Sequence, residues 1–287
     1  MANPDALLST CWTSAGDVMP LRNGDLSPFG IRDRVAAAAE AGFSGFGITH
    51  TDLVAVRDEV GFPALAREFE RHGITTVEVE YLDDWWCSGE RRSRSDVVRA
   101  DLLHAAEALG ASHIKAGAGA AGDTVEPDVL RAEFAALARE AAAVGTRIAL
   151  EPAAFSMMTT IEPAARLVRD VAHPAGGLLV DIWHIHRSSM SYQDLERILP
   201  PEYVFAVEIN DGYREVTGTL FEDTFDNRLY CGEGDFDVAS FVKSLRRLGF
   251  TGPWGVEMMS REHRTLDVRT ATKQAAAAAA DLLASAR

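Results

Sequence analysis

Four apolar runs that each end on a carboxylate constrain the fold of this chain more than any other feature. The clearest run is Gly177–Val180, which ends on Asp181 and has His184 three residues further on. An apolar run without alternation is typical of a strand covered on both faces, as in a parallel sheet. The three other runs end on Glu151, Glu208 and Glu257. Ligands and chemistry collect at the carboxyl ends of such strands, so these acids are the first candidates for a functional site.

The alternation of strand and helix continues along the whole sequence. Several helical segments stop at a glycine, as at Gly42, Gly110 and Gly249, which is typical of helix C-termini. Counting the units gives about eight strands and eight helices, at roughly 25–45 residues per unit. With no linker or composition shift to divide the 287 residues, the pattern predicts a single (β/α)8 TIM barrel, a fold of the α/β class, over residues 1–287.

Composition restricts the partners of such a barrel. The formal net charge is −15, with no obvious basic patch, which argues against nucleic acid. No apolar run approaches the roughly 20 residues of a membrane helix, so we expect no membrane partner. The three cysteines, Cys11, Cys87 and Cys231, are widely spaced, and the N-terminus resembles no signal peptide. These features indicate a cytoplasmic protein, and we treat it as a candidate homo-oligomer.

Three segments carry local predictions. Leu7–Trp12 is expected to form the first strand, and residues 211–233 a long polar loop. Asp83–Ser95 is polar and aromatic, so we predict a loop there, followed by a helix over Asp96–Leu109. Within that loop, Asp83–Trp86 is the best candidate for a lid or a partner surface.

The spacing of the four strand-terminal acids suggests that they converge. They are separated by 30, 27 and 49 residues, and the first two intervals each equal one strand–helix unit. The carboxyl ends of strands five to eight share one rim of a closed barrel, where converging carboxylates repel each other unless positive charge lies between them. A single divalent cation bound between the carboxylates would supply that positive charge. The alternative is that each acid merely ends a strand and meets water or a lysine.

These stretches resemble the xylose isomerase-like barrels known as sugar phosphate isomerases/epimerases. That superfamily includes ketose 3-epimerases, inosose dehydratases, 3-dehydroshikimate dehydratases and, more distantly, endonuclease IV. The resemblance covers essentially the whole chain. The matching stretches are Glu40–Phe43, Glu151–Pro152, Asp181–His184, Glu208–Gly212, Arg228, Gly232–Asp235 and Gly252–Glu257.

The resemblance implies a site and a chemistry. Its metal ligands would be Glu151, Asp181, the residue at position 208 and Glu257, with His184 lining the site and Arg228 pointing at the substrate. The common reaction is proton removal from a carbon next to a carbonyl, with a metal-stabilised enediolate. Glu151 and Glu257 would act as catalytic residues on the two faces of the sugar, and His184 would relay protons or bind a hydroxyl.

Position 208 departs from the pattern of the family. The family usually has His or Gln there, whereas this chain has Glu208. Four ionised carboxylates would leave a divalent site with net negative charge. Three explanations remain open: Glu208 is protonated, it is salt-bridged (for example to Arg228), or it steps back and His184 or water replaces it. An oxygen-rich ligand set favours one Mn²⁺, with Mg²⁺ or Co²⁺ as alternatives, and it argues against endonuclease IV.

Four further residues near strand ends are candidates for binding the substrate. They are Trp12, His50, Glu80 and Lys115. Trp12 would offer an apolar wall to a sugar ring, although ordinary packing is the more common role of any single Trp. A lone loop histidine is more often solvated than catalytic, and the side chain of Lys115 points either into the barrel or outward.

The sequence thus predicts a divalent-metal-dependent isomerase or epimerase of a sugar or keto-sugar, with a small carbohydrate as its partner. A lyase on the same scaffold is the alternative, either a keto-polyol dehydratase or a 3-keto-glycoside eliminase, since both begin with the same proton removal. A further alternative is a barrel that binds sugar without turning it over. The clustered acids Glu151, Asp181 and Glu257 argue against that, because a binding module has no need of them.

Overall fold

The strands form a closed parallel barrel. The computed structural model describes residues 5–20, 22 and 24–287, and its eight strands pair in sequence order, with β8 closing on β1. The strands are β1 Leu7–Ser9, β2 Gly45–Thr49, β3 Thr76–Leu82, β4 His113–Gly117, β5 Ile148–Glu151, β6 Gly176–Asp181, β7 Val204–Ile209 and β8 Trp254–Val256. The predicted (β/α)8 fold is therefore confirmed.

Helices surround this barrel and fill several of its loops. They are α1 Cys11–Ser14, α2 Ile31–Ala41, α3 His50–Glu59, α4 Phe62–His72, α5 Gly89–Leu109, α6 Pro127–Ala143, α7 Ile161–Val171, α8 Ile182–Arg187, α9 Tyr192–Ile198, α10 Leu220–Asp226, α11 Val238–Leu248, α12 Arg261–Arg264 and α13 Val268–Ser285, with a 3₁₀ turn at Pro201–Tyr203. None of the helices in the described part of the chain is long and apolar enough to cross a membrane.

Strand periodicity places the acids inside the barrel. Successive side chains of a strand point to opposite faces, and in β6 Leu178 and Val180 belong to the large core between sheet and helices. Leu179 points the other way and packs in a small separate cluster with Ala149 and Ala206. Each of the three lies two positions before an acid: Leu179 before Asp181, Ala149 before Glu151 and Ala206 before Glu208. The inner cluster therefore forms an apolar layer beneath the acids.

Register brings neighbouring acids side by side. Asp181 of β6 pairs with Glu208 of β7, and Glu208 pairs in turn with Gly255 of β8. A Cβ at Gly255 would lie 3.0 Å from the Glu208 Cγ atom. The glycine therefore leaves room for the Glu208 side chain to lie across the strand.

Three local predictions need correction. The first strand ends at Ser9, and Cys11–Ser14 is helical. Helix α5 begins at Gly89, inside the predicted Asp83–Ser95 loop, because side chains of its charged first turns form ion pairs, such as that of Arg92 with Glu133. The 211–233 loop contains α10.

The predicted lid is also wrong, because its two tryptophans are part of the core. Trp85 and Trp86 are 1% and 5% exposed and pack edge to face, with ring centroids 5.0 Å apart. The indole N–H of Trp85 donates to the carbonyl of Gly117 at 2.8 Å. The segment is thus fixed against β4 rather than free to move.

Candidate active site

Four carboxylates converge at the carboxyl ends of β5 to β8. Glu151, Asp181, Glu208 and Glu257 are all buried. Each offers an oxygen, and these oxygens all lie within 4.8 Å of one another. The cluster can therefore hold a metal ion, as the spacing of the acids suggested.

Lys115 of β4 lies among these acids and points into the barrel. Its Nζ atom is 2.6 Å from Glu208 Oε1, 2.9 Å from Glu257 Oε1 and 3.2 Å from Glu80 Oε2. Burial lowers the pKa of Lys115, but the surrounding carboxylates outweigh burial and raise the pKa well above its ordinary value. The side chain is therefore a permanent ammonium group, and its contacts are with acids rather than with an open surface.

Arg228 is a second buried cation at the site. Its Nη1 atom lies 2.8 Å from Asp181 Oδ2 and 2.9 Å from Glu257 Oε2, and its other nitrogens donate to the carbonyl and hydroxyl of Thr224. Glu208, which we considered as a partner of Arg228, pairs instead with Lys115. Glu257 is consequently held on both oxygens, by Lys115 on one side and Arg228 on the other.

The acids fit a divalent cation in charge and donor type. Five buried carboxylates (the four above and Glu80) face two cations, Lys115 and Arg228. If all are ionised, excess negative charge remains, which a divalent cation offsets. Glu208 Oε2 and Glu80 Oε1 are buried without a hydrogen-bond partner among the described residues. Orphaned carboxylate oxygens of this kind are suited to a hard metal ion.

Asp181 is oriented by its neighbours. Its Oδ1 atom accepts from the backbone N–H of Trp183 at 2.9 Å and from Nδ2 of Asn210 at 3.0 Å, while Oδ2 is held by Arg228. Groups of this kind fix the direction of a ligand and are as important as the ligand itself. Asn210 was not singled out from the sequence as a site residue, although it lies in the Glu208–Gly212 stretch that resembles the family.

Burial raises the pKa values of three acids at the site. It raises the pKa of Glu80 to about 7 and that of Glu151 to about 8, and Lys115 offsets only part of this effect. Burial and the nearby Glu257 raise the pKa of Glu208 as well. Carboxyl groups that titrate near neutrality are suited to proton transfer.

Hydrogen bonding assigns the neutral tautomer of His184. The backbone N–H of Ala154 donates to His184 Nδ1 at 3.3 Å, so the proton lies on Nε2. Burial lowers the pKa of His184 to about 3, which keeps the ring neutral. Nε2 is 3.7 Å from both Glu151 Oε1 and Asp181 Oδ2. A protonated Nε2 cannot bind a metal, so the four carboxylates are the better ligand set.

A cavity of about 460 Å³ opens above the acids. It brings together seven of the candidate residues from the sequence, namely Trp12, Glu80, Lys115, Glu151, His184, Arg228 and Glu257. Asp181 and Glu208 do not line it and lie in the cluster beneath. A larger groove of about 730 Å³ between α2 and α13 is lined mainly by alanines and charged rim residues, so volume alone does not identify the site.

His50 is not brought to the cavity. Its Nε2 atom lies 2.8 Å from Asp101 Oδ2 of α5, and Arg57 contacts the other oxygen of the same carboxylate. Conversely, Phe155 and Phe225 line the cavity but were not predicted. Phe155 lies in the loop after β5 and Phe225 in the short helix α10, which the sequence analysis had placed within a polar loop.

The fold and the acid cluster define a xylose isomerase-like barrel. The model of the family described as "Xylose isomerase-like TIM barrel" matches residues 35–286, and the chain belongs to this family. The comparison with curated proteins finds no match.

Solved structures share the fold at low identity. The IolI protein with a zinc atom is 18% identical, with a TM-score of 0.83 and coverage of 99% of both chains. A D-allulose 3-epimerase from Methylomonas sp., in complex with D-allulose, is 19% identical, with a TM-score of 0.69 and coverage of 96% of both chains. A fusion protein of a xylose isomerase-like TIM barrel and 4-hydroxyphenylpyruvate dioxygenase is 20% identical, with a TM-score of 0.81. The match covers 96% of this chain and 42% of the fusion protein.

Proposed function

We propose that this protein is a divalent-metal-dependent isomerase or epimerase of a sugar or keto-sugar, acting by proton removal next to a carbonyl. The observation that carries the proposal is the convergence of four buried carboxylates, of which Glu151 and Glu257 line one cavity. Both a zinc-bound relative and a sugar epimerase are built on the same barrel, which supports the assignment. The oxygen-only ligand set favours Mn²⁺ or Mg²⁺.

A bound ion would be held by Glu151, Asp181, Glu208 and Glu257. It would supply a Lewis acid that polarises the carbonyl and lowers the barrier to removal of the neighbouring proton. The protein must then provide a base, a way to return the proton and donors that orient the substrate.

Glu151 is the better base of the two predicted catalytic acids. Among the described residues, the basic side chain in close contact with Glu151 is His184, with Nε2 3.7 Å away, whereas both oxygens of Glu257 are ion-paired. An ion-paired carboxylate is a weaker base. We assign proton removal to Glu151. We assign to Glu257 the return of a proton on the opposite face, and solvent in the open cavity that Glu257 lines supplies that proton.

His184 and Arg228 serve as donors in this proposal. The Nε2–H group of neutral His184 faces the space between Glu151 and Asp181 and donates to a substrate hydroxyl or carbonyl oxygen. Arg228 keeps Asp181 and Glu257 in place and lines the cavity, where its positive charge favours oxygen-bearing groups. Trp12, at the wall of the cavity, offers an apolar face for the C–H surface of a sugar ring.

The test is deuterium exchange from D₂O into a panel of ketoses, aldoses and keto-glycosides, with Mn²⁺ supplied. We expect exchange at a carbon next to a carbonyl, and loss of exchange in Glu151→Gln by a factor of about 10² or more. Glu90→Gln, at a side chain that is 86% exposed, is the matched control. Product mass shows whether a group is eliminated, as in a lyase. Absence of exchange from the whole panel, with no Mn²⁺ binding, would refute the proposal.

A further inference from the structure

Three phenylalanines form a continuous aromatic surface at one side of the cavity. Phe155 follows β5, and Phe221 and Phe225 lie one helical turn apart on α10. The ring centroids are 5.1 Å apart for Phe155–Phe221 and 5.8 Å for Phe221–Phe225, with interplanar angles of 30° and 26°. We call these three residues the aromatic shelf.

The aromatic shelf is continuous with the reaction site. Phe155 and Phe225 line the same cavity as Glu151, and the Phe155 ring meets the His184 ring edge to face, at 5.4 Å between centroids. Phe221 lies at the outer end and is 46% exposed. A ligand seated against His184 therefore meets Phe155 first and Phe221 last as it extends towards solvent.

Helix α10 holds the aromatic shelf in a fixed position. Asp223 Oδ2 accepts from Trp183 Nε1 at 3.1 Å and from Arg187 Nε at 2.7 Å. Asp226, at the other end of the helix, pairs with Arg264 and Arg22. These contacts hold α10 in place, and the helix in this position leaves the Phe221 ring exposed.

Among the described residues, the polar side chains of α10 that lie beside the aromatic shelf are already engaged. Asp223 and Asp226 are engaged as described, the Thr224 hydroxyl accepts from Arg228 at 3.0 Å, and Glu222 completes a capping box with Thr219. A second sugar ring needs hydrogen-bond partners for its hydroxyls, because unpaired polar groups cost free energy when they leave water. A flat apolar group has no such need, and it gains from contact with aromatic rings.

We propose that the aromatic shelf is a subsite for an aromatic substituent of the substrate, so that the ligand is a sugar carrying an aryl group. The sugar part of this inference rests on the proposed function. The sugar ring lies over the acids, and the aryl group packs against Phe155 and Phe221.

The test measures dissociation constants of phenyl and methyl glycosides of the same sugars by calorimetry, with cellobiose as a disaccharide probe. We expect the phenyl compounds to bind about 3- to 10-fold more tightly than the methyl compounds. Phe221→Ala should bring that ratio close to one, and Phe221→Tyr, which keeps the ring, should restore it. Tyr213→Ala, at an equally exposed aromatic residue (47%), should leave the ratio unchanged.

Several results would overturn the proposal. One is equal or absent binding of phenyl and methyl glycosides, and another is cellobiose binding as tightly as the phenyl compounds. A third is a parent dimer that Phe221→Ala converts to monomer, which would assign the surface to a second copy. The two proposals can fail separately. If phenyl compounds bind more tightly in a way that depends on Phe221, but no deuterium exchange occurs, the subsite is supported and the proposed proton removal is refuted.

Discussion

Lys115 and Glu208 form a buried ion pair, with Lys115 Nζ 2.6 Å from Glu208 Oε1 and each side chain 1% exposed. The pair places a cation beside Glu208, at the position where the resemblance to the family implied His or Gln. The ammonium group of Lys115 offsets the negative charge that Glu208 brings to the site. A charge pair of this kind in a low-dielectric interior couples the two positions strongly.

The coupling predicts opposite effects of two single substitutions on metal affinity. Lys115→Met removes a positive charge a few ångströms from the acids and should tighten Mn²⁺ binding at least about tenfold. Glu208→Gln removes one of the three carboxylates that face Lys115 and should weaken Mn²⁺ binding by a similar factor. The double variant should return close to the parent, as titration calorimetry would show.

Lys243→Met, at an exposed lysine, is the control for losing one positive charge. Weaker Mn²⁺ binding by Lys115→Met would contradict the idea that this lysine and the ion compete for the same carboxylates. A double variant that binds Mn²⁺ far more tightly or far more weakly than the parent would show that the two charges do not offset each other.

The tautomer of His184 gives a second prediction, on ligand identity. We expect nitrogen NMR to show the proton on Nε2, and His184→Ala to retain Mn²⁺ affinity within about threefold, because the ring is a donor beside the ion and not a ligand. Asp181→Ala should lose the ion altogether. An Nδ1 proton, or loss of metal from His184→Ala, would instead place the imidazole among the ligands.

The clamp on α10 gives a third prediction. Asp223→Ala leaves Arg187 without its buried partner, and breaking such a pair costs about 3–5 kcal/mol. We expect amide hydrogen exchange over Leu220–Asp226 to accelerate by at least about tenfold while the barrel strands stay protected. Asp128→Ala, at a side chain that is 91% exposed, should leave exchange unchanged. Unaltered protection of α10 in Asp223→Ala would show that other contacts hold the helix.

A fourth prediction concerns stability against pH. His263 is buried, its Nε2 donates to the carbonyl of Thr13, and its Nδ1 lies 2.9 Å from the Tyr230 hydroxyl. Burial lowers the pKa of His263 from 6.5 to about 4, so the unfolded state binds more protons between these values. The contribution of His263 to the free energy of unfolding is complete above pH 6.5. It falls by on the order of 3 kcal/mol as the pH is lowered to about 4.

Denaturant unfolding at several pH values checks this prediction. His263→Gln should be less stable than the parent near neutrality, and its stability should fall less steeply between pH 6.5 and pH 4. His104→Gln, at an exposed histidine, should keep the slope of the parent. If the free energies of unfolding of the parent and His263→Gln change with pH in parallel, this histidine is not a source of acid sensitivity.

The sequence by itself determined the barrel and the acids of the site. Continuous apolar runs such as Gly177–Val180 report burial on both faces, and the alternation of strand and helix reports the parallel topology, because both are local properties of the chain. The period of two then fixes which side chains point inward. For that reason the positions of Glu151, Asp181, Glu208 and Glu257 followed from spacing alone.

Only the tertiary structure decided which charges meet. Lys115 and Glu257 are 142 residues apart in the chain, and no local pattern shows that one ammonium group lies among three acids or that Arg228 bridges Asp181 and Glu257. The position of His50 beside Asp101, and the meeting of Phe155 with α10, depend in the same way on how loops pack. Side-chain pairing is decided by closure of the barrel and by desolvation in its interior, which act through space and leave no periodic trace in the sequence.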